Sequence, residues 1–407
     1  MSAPATVVDR IPFALTEISR EAREAAGRVL ASGWVTTGPE VAEFEREFAA
    51  WVGAEHAVAV SSCTAAIELA LRSMRLPPGS KVLTSTMTFC GAVHAIVHAG
   101  LRPVLADVDP ITLMPDARTT AAAARRAGGV DAMVVLHFAG FPAAVDQLAE
   151  AAGLPTHRVI EDAAHALGSR LGERPIGTLS AATCFSFYAT KNLPVGEGGM
   201  ITTDDPELAS FVTQARLHGM SHDAWRRYLP GAAHWRYTVA MDGIKANMTD
   251  LQAAIGRAQL RHLPRWQERR VDIARRFDFC LSGIDGVATP AWPEEGLHSW
   301  HLYVIRIHPA FGLDRDAVIT ALSERGIDCS VHFIPLHHQP YFVDLLGSEI
   351  TRQFPCADQV FEEIVSLPLY PSLSDTDVDR ICHELSDLQR GPLVGARDRR
   401  APLRSMP

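Results

Sequence analysis

An α/β fold, with a mostly parallel mixed sheet flanked by helices and a smaller C-terminal α/β domain, is what this sequence predicts. Three observations predict it. Short apolar runs alternate with helix-length periodic segments between residues 57 and 203, the pattern of strands covered on both faces. The polar residues able to do chemistry fall at the carboxyl ends of those runs, where open α/β sheets bind ligands. The same alternation returns after about residue 285 in a shorter block.

The elements follow in order. Residues 16–32 have helical apolar spacing. The loop Gly33-Trp34-Val35-Thr36-Thr37-Gly38-Pro39 follows, then a helix over 40–52. Strands are expected at 57–60, 81–85, 103–106, 133–137 and 158–161, each a short apolar run. Helices are expected between them at 64–74, 91–99, 118–127 and 143–152. Residues 182–187 and 199–203 read as two further strands around a Gly-rich turn. Beyond 205 the chain turns helical, with periodic segments at 249–263 and 264–281. The second carries Glu268-Arg269-Arg270 and Arg275-Arg276, a pattern that reads as a solvated face. The C-terminal block reads as strand 301–307, helix 315–325, strand 328–333 and helix 375–388. This gives a large domain over 12–263, a small one over 264–389, and a disordered tail over 390–407, where Gly, Pro and Arg mix without periodicity.

Composition narrows the function. The chain has 407 residues, 47% hydrophobic and 21% charged, with a formal net charge of −9. That is a soluble globular composition, with no basic face to suggest a nucleic-acid partner. No apolar run approaches the ~20 residues of a membrane span. The first ten residues lack a signal-peptide pattern. The seven scattered cysteines form no C-x-x-C pair, so they read as reduced thiols of a cytoplasmic protein, without a metal site.

Of the 38 basic residues other than histidine, only Lys81, Lys191 and Lys245 are lysines. Arginine stays protonated and cannot form a Schiff base, whereas a lysine amine can. Lys191 lies in Phe185-Ser186-Phe187-Tyr188-Ala189-Thr190-Lys191-Asn192, just before the glycine-rich Gly196-Glu197-Gly198-Gly199. Four segments at strand ends converge on one chemistry. Ser61-Ser62-Cys63-Thr64 opens a helix, which suits a phosphate, although Ser62 read alone is an ordinary N-cap. Phe89 can stack on a planar ring or pack in the core. Asp162, in Glu161-Asp162-Ala163-Ala164-His165, can hold a pyridine nitrogen protonated. His165 stands near the ring or is a hydrogen-bonded core histidine. Ser186 adds a phosphate donor beside Lys191. Together these four make a pyridoxal 5'-phosphate site. No G-x-G-x-x-G follows the first strand and no G-x-x-x-x-G-K-[ST] occurs. His94 and His98 lack the glutamate of a zinc protease, and His337-His338 show no third ligand at metal spacing.

With these motifs the sequence resembles the DegT/DnrJ/StrS family of pyridoxal-phosphate-dependent sugar aminotransferases. The resemblance runs from about residue 33 to 371. It includes Ala106-Asp107-Val108-Asp109, Val135-Leu136-His137-Phe138-Ala139-Gly140 and Arg216-Leu217-His218-Gly219-Met220 as well as the segments above. It implies an aspartate-aminotransferase-like fold (fold type I) and a homodimer with shared active sites. Lys191 is then the Schiff-base lysine and Asp162 the acid at the ring nitrogen, with His165 beside the cofactor. Ser62, Cys63, Thr64 and Ser186 lie at the phosphate, and Phe89 stacks on the ring. Lys245 and Asn247, in Lys245-Ala246-Asn247, are implied to reach the neighbouring subunit's cofactor. Thr37, Arg226, Arg227, His301 and His332 are the candidate substrate contacts. Cys63 stands where Gly or Ala is usual, which suggests a bulkier phosphate turn. Lys191 itself argues against the family's dehydratase branch, where histidine takes that place.

The expected activity is amino transfer from an amino acid, L-glutamate in first place, to a keto sugar nucleotide of the 4-keto-hexose type. Alternatives are the same chemistry on a cyclitol or other carbocyclic ketone, a pyridoxal-phosphate lyase or dehydratase, and a non-catalytic regulator on the same fold.

Overall fold

The computed structural model describes residues 10–221 and 236–390. Its centre is a seven-stranded sheet. In chain order the strands are β1 (His56–Val60), β2 (Lys81–Ser85), β3 (Arg102–Ala106), β4 (Ala132–Leu136) and β5 (Val159–Asp162). A small hairpin, β6 (Arg170–Leu171) and β7 (Arg174–Pro175), precedes β8 (Ala182–Ser186) and β9 (Gly199–Thr203). The spatial order is β1-β9-β8-β5-β4-β2-β3. Pairing is parallel from β8 through to β3 and antiparallel on both sides of β9. So β9 alone runs against the rest, and its start lies on the same edge as the carboxyl ends of the other six.

The strands are apolar because both faces are covered. All five residues of β4 are buried. On one face, helices Cys63–Ser73, Cys90–His98 and Pro206–Ala215 bury Leu69, Ile96 and Val212 against Val82, Val134 and Ile160. On the other, helices Pro39–Val52, Ala117–Arg126, Val145–Ala152 and Asp250–Leu260 bury Phe44, Phe48, Ala123 and Leu148 against Leu83, Met133 and Val135. Alternate residues of each strand serve opposite cores, as pleating requires.

The C-terminal part has its own apolar centre. Strands β10 (Val287–Ala288), β12 (Tyr303–Ile307) and β13 (Ile364–Leu367) form an antiparallel sheet, while β11 (Gly296–Leu297) pairs with β6. Helices Leu263–Leu281, Arg315–Glu324 and Asp375–Arg390 bury Phe277, Leu322 and Ile381 there. We propose a domain boundary at 263/264, the start of the first of these helices. Ile11 joins this C-terminal core through backbone bonds with Gly326 and Asp328 (2.8 and 3.0 Å).

Four expectations are corrected. The first helix starts at Arg20, because Ser19 caps it by accepting the Ala22 N–H at 3.1 Å. Residues 328–333 form no strand: only Ser330 bridges to Ser366, after which the chain turns toward the sheet edge. Arg270 is not on the solvated face. It is 4% exposed and donates through Nη1 to the carbonyls of Trp300 and Leu369. Arg390 closes the last helix instead of starting a tail, and 391–407 lie outside the described residues. Among the described residues no helix is long and apolar enough to cross a membrane.

Phe277 is fully buried and packs on Tyr303 at a 4.8 Å ring separation. Phe277→Ala is expected to cost about 3–5 kcal/mol through lost burial and the cavity left behind. Urea unfolding monitored by circular dichroism measures it.

Candidate active site

The aligned strand ends open onto a cavity of about 500 Å³. Its walls come from six crossover points of the sheet. Ser62, Cys63 and Thr64 follow β1, Phe89 follows β2, Leu136 ends β4, and Asp162 ends β5 with His165 just beyond. Ser186 ends β8 and Lys191 follows it, and Gly198 precedes β9. The C-terminal part adds His301, His332 and Phe333.

The β1 turn is a helix start as well as a wall. Ser62 caps helix Cys63–Ser73 by accepting the Ala65 N–H at 3.1 Å. The first amides of that helix therefore have no intrahelical partner and lie at its positive end, a ready anion site. The N-cap reading of Ser62 is observed, and a capped helix start is compatible with an anion beside it. A Cβ on Gly199 would stand 2.6 Å from the Ser62 carbonyl carbon and 2.8 Å from the Cys63 nitrogen. Only glycine lets β9 approach the turn this closely. Cys63, expected to make the turn bulkier, lines the cavity. Its sulfur lies toward the floor, 3.7 Å from Asp162 Oδ1 and 3.4 Å from the Cys184 carbonyl oxygen.

Asp162 is 5% exposed and accepts the Ala164 N–H at 3.1 Å. Burial raises its pKa, opposed by the Ala164 hydrogen bond and the Lys191 charge. Burial pushes the Lys191 amine down to about 8, although Asp162 and Cys63 pull it up. Its neighbour Asn192 donates to the Ser299 carbonyl at 2.9 Å, which turns Asn192 Oδ1 toward His301 Nδ1 at 3.2 Å. That arrangement places the His301 proton on Nδ1. His165 accepts the Ala139 N–H on Nδ1 at 3.2 Å, so its proton is on Nε2. The two imidazoles lie 4.4 Å apart between ring centres. Burial, followed by the Lys191 charge, holds both well below the usual histidine pKa and takes His332 down to about 4. Among the described residues the cavity therefore has two carboxyl side chains, Asp162 and Glu197, one amine and three uncharged imidazoles at neutral pH.

Ten expected residues thus meet in one cavity: Ser62, Cys63, Thr64, Phe89, Asp162, His165, Ser186, Lys191, His301 and His332. Thr37, Lys245 and Asn247 do not line it. They form their own cluster, in which Asn247 donates to Thr37 Oγ1 at 2.6 Å and Lys245 donates to Asn247 Oδ1. Its backbone touches the phosphate turn, since Ser61 N–H donates to the Ala246 carbonyl at 2.7 Å. Arg226 and Arg227 lie outside the described residues. Sequence reading missed Phe13, which lines the cavity and stacks on His332 at 5.5 Å, and Phe333, which stacks on His165 at 5.9 Å. Neither carries a sequence signal, because each reaches the site from a segment without regular structure.

Acid on the floor, amine on the wall, helix amides at one end and an aromatic at the mouth fit pyridoxal phosphate in donor chemistry and size. This fold and site define a class, the pyridoxal-phosphate-dependent transaminases of the aspartate-aminotransferase fold. Comparison with known proteins agrees. The DegT/DnrJ/EryC1/StrS aminotransferase family model matches residues 16–386, and the chain belongs to this family. It is 44% identical over 384 residues to the spore coat polysaccharide biosynthesis protein SpsC of Bacillus subtilis, covering 94% of this chain and 97% of that one. The aminotransferase TlmJ from Streptoalloteichus hindustanus superposes with a TM-score of 0.83 at 33% identity, over 94% of this chain and 99% of its own. The PLP-form of the putative sugar aminotransferase Spr1654 from Streptococcus pneumoniae gives 0.83 at 29%, over 94% and 99%.

The lowered Lys191 pKa predicts a pH profile. A depressed amine is neutral, and nucleophilic, above about 8 instead of above about 10.5. Cofactor capture by the apoprotein is expected to speed up with pH, with its half-rise near 8. Because Asp162 raises the amine's pKa, Asp162→Asn is expected to move the half-rise to lower pH. Stopped-flow absorbance reads both, and a half-rise near 10.5 would contradict the buried-amine account.

Proposed function

We propose that this enzyme moves an amino group from an amino acid, L-glutamate in first place, to a keto sugar nucleotide of the 4-keto-hexose type. The observation that carries the reading is Lys191 and Asp162 facing one cavity whose far end is a helix start. Bound pyridoxal phosphate supplies an electron sink that makes the proton next to the transferred nitrogen removable. In our reading, Ser62, Cys63, Thr64 and Ser186 hold its phosphate, through hydroxyls and the first amides of the helix. Phe89 covers the ring face and His165 lies beside it. Asp162 keeps the ring nitrogen protonated through its carboxylate.

Lys191 Nζ, with a pKa of about 8, takes the proton from the donor α-carbon and delivers it to the other carbon bonded to the transferred nitrogen, then carries a proton the opposite way when the acceptor is bound, which suits a base working near neutral pH. The uncharged imidazoles of His301 and His332 place hydrogen-bonding nitrogens toward the substrate without a second positive charge beside Lys191. Phe13 and Phe333 exclude water above them. Arg226 and Arg227 meet the diphosphate of the acceptor. Thr37, Lys245 and Asn247 complete the partner's site in a homodimer. Their cluster supports this: Lys245 is exposed and lies beside the phosphate turn, outside its own chain's cavity. A cytoplasmic location accords with seven free cysteines.

Adding L-glutamate to the yellow holoenzyme is expected to bleach the visible band and release 2-oxoglutarate, with ping-pong kinetics once the acceptor is present. Lys191→Ala is expected to abolish turnover. A band that persists with every amino donor points to the lyase or regulator reading instead. Assay of a 4-keto-hexose nucleotide against a cyclitol ketone separates the two acceptor classes. For the shared site, mixing Lys191→Ala with Lys245→Glu subunits is expected to recover activity that neither has alone. Absence of recovery in mixed dimers refutes that arrangement.

A further inference from the structure

Away from the cavity, three potential metal ligands converge between the large sheet and the C-terminal part. His337 and His338 lie in the turn Leu336–His338, and Asp358 lies on helix Pro355–Glu363. His337 Nε2 stands 2.7 Å, and His338 Nε2 2.8 Å, from the same oxygen, Asp358 Oδ1. The three ligand atoms all lie within 4.8 Å of one another. In sequence the two histidines had no third partner, and the fold brings it from 20 residues further on.

The cluster is held from behind. The His337 side chain is wholly buried, its ring is 4.7 Å from that of Phe354, and its Nδ1 is 2.7 Å from Thr86 Oγ1. An outer partner of that kind fixes a ligating imidazole and aims its other nitrogen. His338 and Asp358 side chains are 35% and 40% exposed, so an ion can enter from solvent and keep water in its remaining positions. Asp107 adds a second carboxylate nearby, whose oxygens accept the Cys356 and Ala357 N–H groups at 3.1 and 2.8 Å.

We propose that His337, His338 and Asp358 form a binding site for a divalent transition-metal ion of the zinc type. Two imidazoles and one carboxylate suit zinc, cobalt or nickel, whereas magnesium and calcium take oxygen ligands. Tetrahedral zinc, with ligands at about 2.0–2.2 Å, sets them about 3.3 Å apart. Admitting the ion sets the Asp358 carboxylate back by about half an ångström and adjusts the His338 imidazole, whose Nε2 lies within 4.8 Å of that of His337; both side chains that move are partly exposed. The ion replaces two N–H···O bonds by coordination, and each imidazole then carries its proton on Nδ1, which for His337 faces Thr86 Oγ1.

The position gives the site a consequence. Leu336 N–H donates to the Thr86 carbonyl at 2.8 Å, and Thr86 Oγ1 meets His337. Thr86 leads to Phe89, and the turn follows directly from His332 and Phe333, all three of which line the cavity. A bound ion fixes both walls to one point.

The test uses chelator-stripped holoenzyme titrated with zinc chloride by calorimetry, and with cobalt chloride by visible absorbance. One ion per chain and a raised Tm are expected. His338→Ala and Asp358→Asn are expected to weaken binding at least tenfold and to lose the Tm rise. Both sites are partly exposed, so the variants should fold, and circular dichroism checks this. Metal-free turnover of His338→Ala is expected to match that of the metal-free parent. Equal binding by parent and variants, or no binding by the parent up to about 0.1 mM zinc, overturns the proposal.

Discussion

The structure depends on two adjacent carboxylates at the end of its central strand. Pleating sends Glu161 and Asp162 to opposite faces of β5. Glu161, fully buried, accepts from His137 Nε2 at 2.8 Å, Ser180 Oγ at 2.8 Å and Thr183 Oγ1 at 2.9 Å. His137 is held for this by accepting the Ala143 N–H on Nδ1. An unpaired buried carboxylate is costly, and three donors on Glu161 offset that cost. They fix β5 to its neighbours β4 and β8. Asp162 is thereby delivered to the cavity with fewer partners than its neighbour, which leaves its oxygens for a ligand.

Around that acid the cavity is electrically sparse. Lys191 is the only lysine or arginine among the described residues that line it, and its amine is drawn toward neutrality by the same burial that raises Asp162. The three imidazoles stay uncharged for the same reason. A site of this kind holds its acid and its base ready without the two locking into a strong ion pair. The placement is rigid because its groups sit on strand ends and short turns, with Asn192 tying the Lys191 loop to Ser299 and His301.

The second half of the molecule closes the site. His301 and Leu302 are pinned to the large sheet through the Ala139 carbonyl (2.9 and 3.2 Å). The segment from Ile11 to Thr16 crosses from the C-terminal core to Ala189, beside Lys191, where Thr16 Oγ1 donates at 2.7 Å. Phe13, on that segment, reaches the cavity in passing. The N-terminal strap, the His332-Phe333 segment and the His337–Asp358 cluster thus meet the sheet edge from one side.

The sequence by itself determined the alternation of strands and helices, the strand-end positions of Ser62, Phe89, Asp162 and Lys191, and the cofactor chemistry they spell. Those signals are local: apolar period, caps, glycines, and one of only three lysines in an arginine-rich chain. The tertiary structure alone decided the rest. Arg270 read as a surface residue because its helix is rich in arginine, yet packing buried it against two carbonyls. Residues 328–333 read as a strand because they follow a helix where the αβ alternation returns. In the fold they leave β13 after one bridge to form a cavity wall. Phe13, the burial that sets the Lys191 amine near 8, and the meeting of His337 with Asp358 depend on residues far apart in the chain. No local pattern encodes such meetings, because proximity, desolvation and charge pairing exist only once the chain is packed.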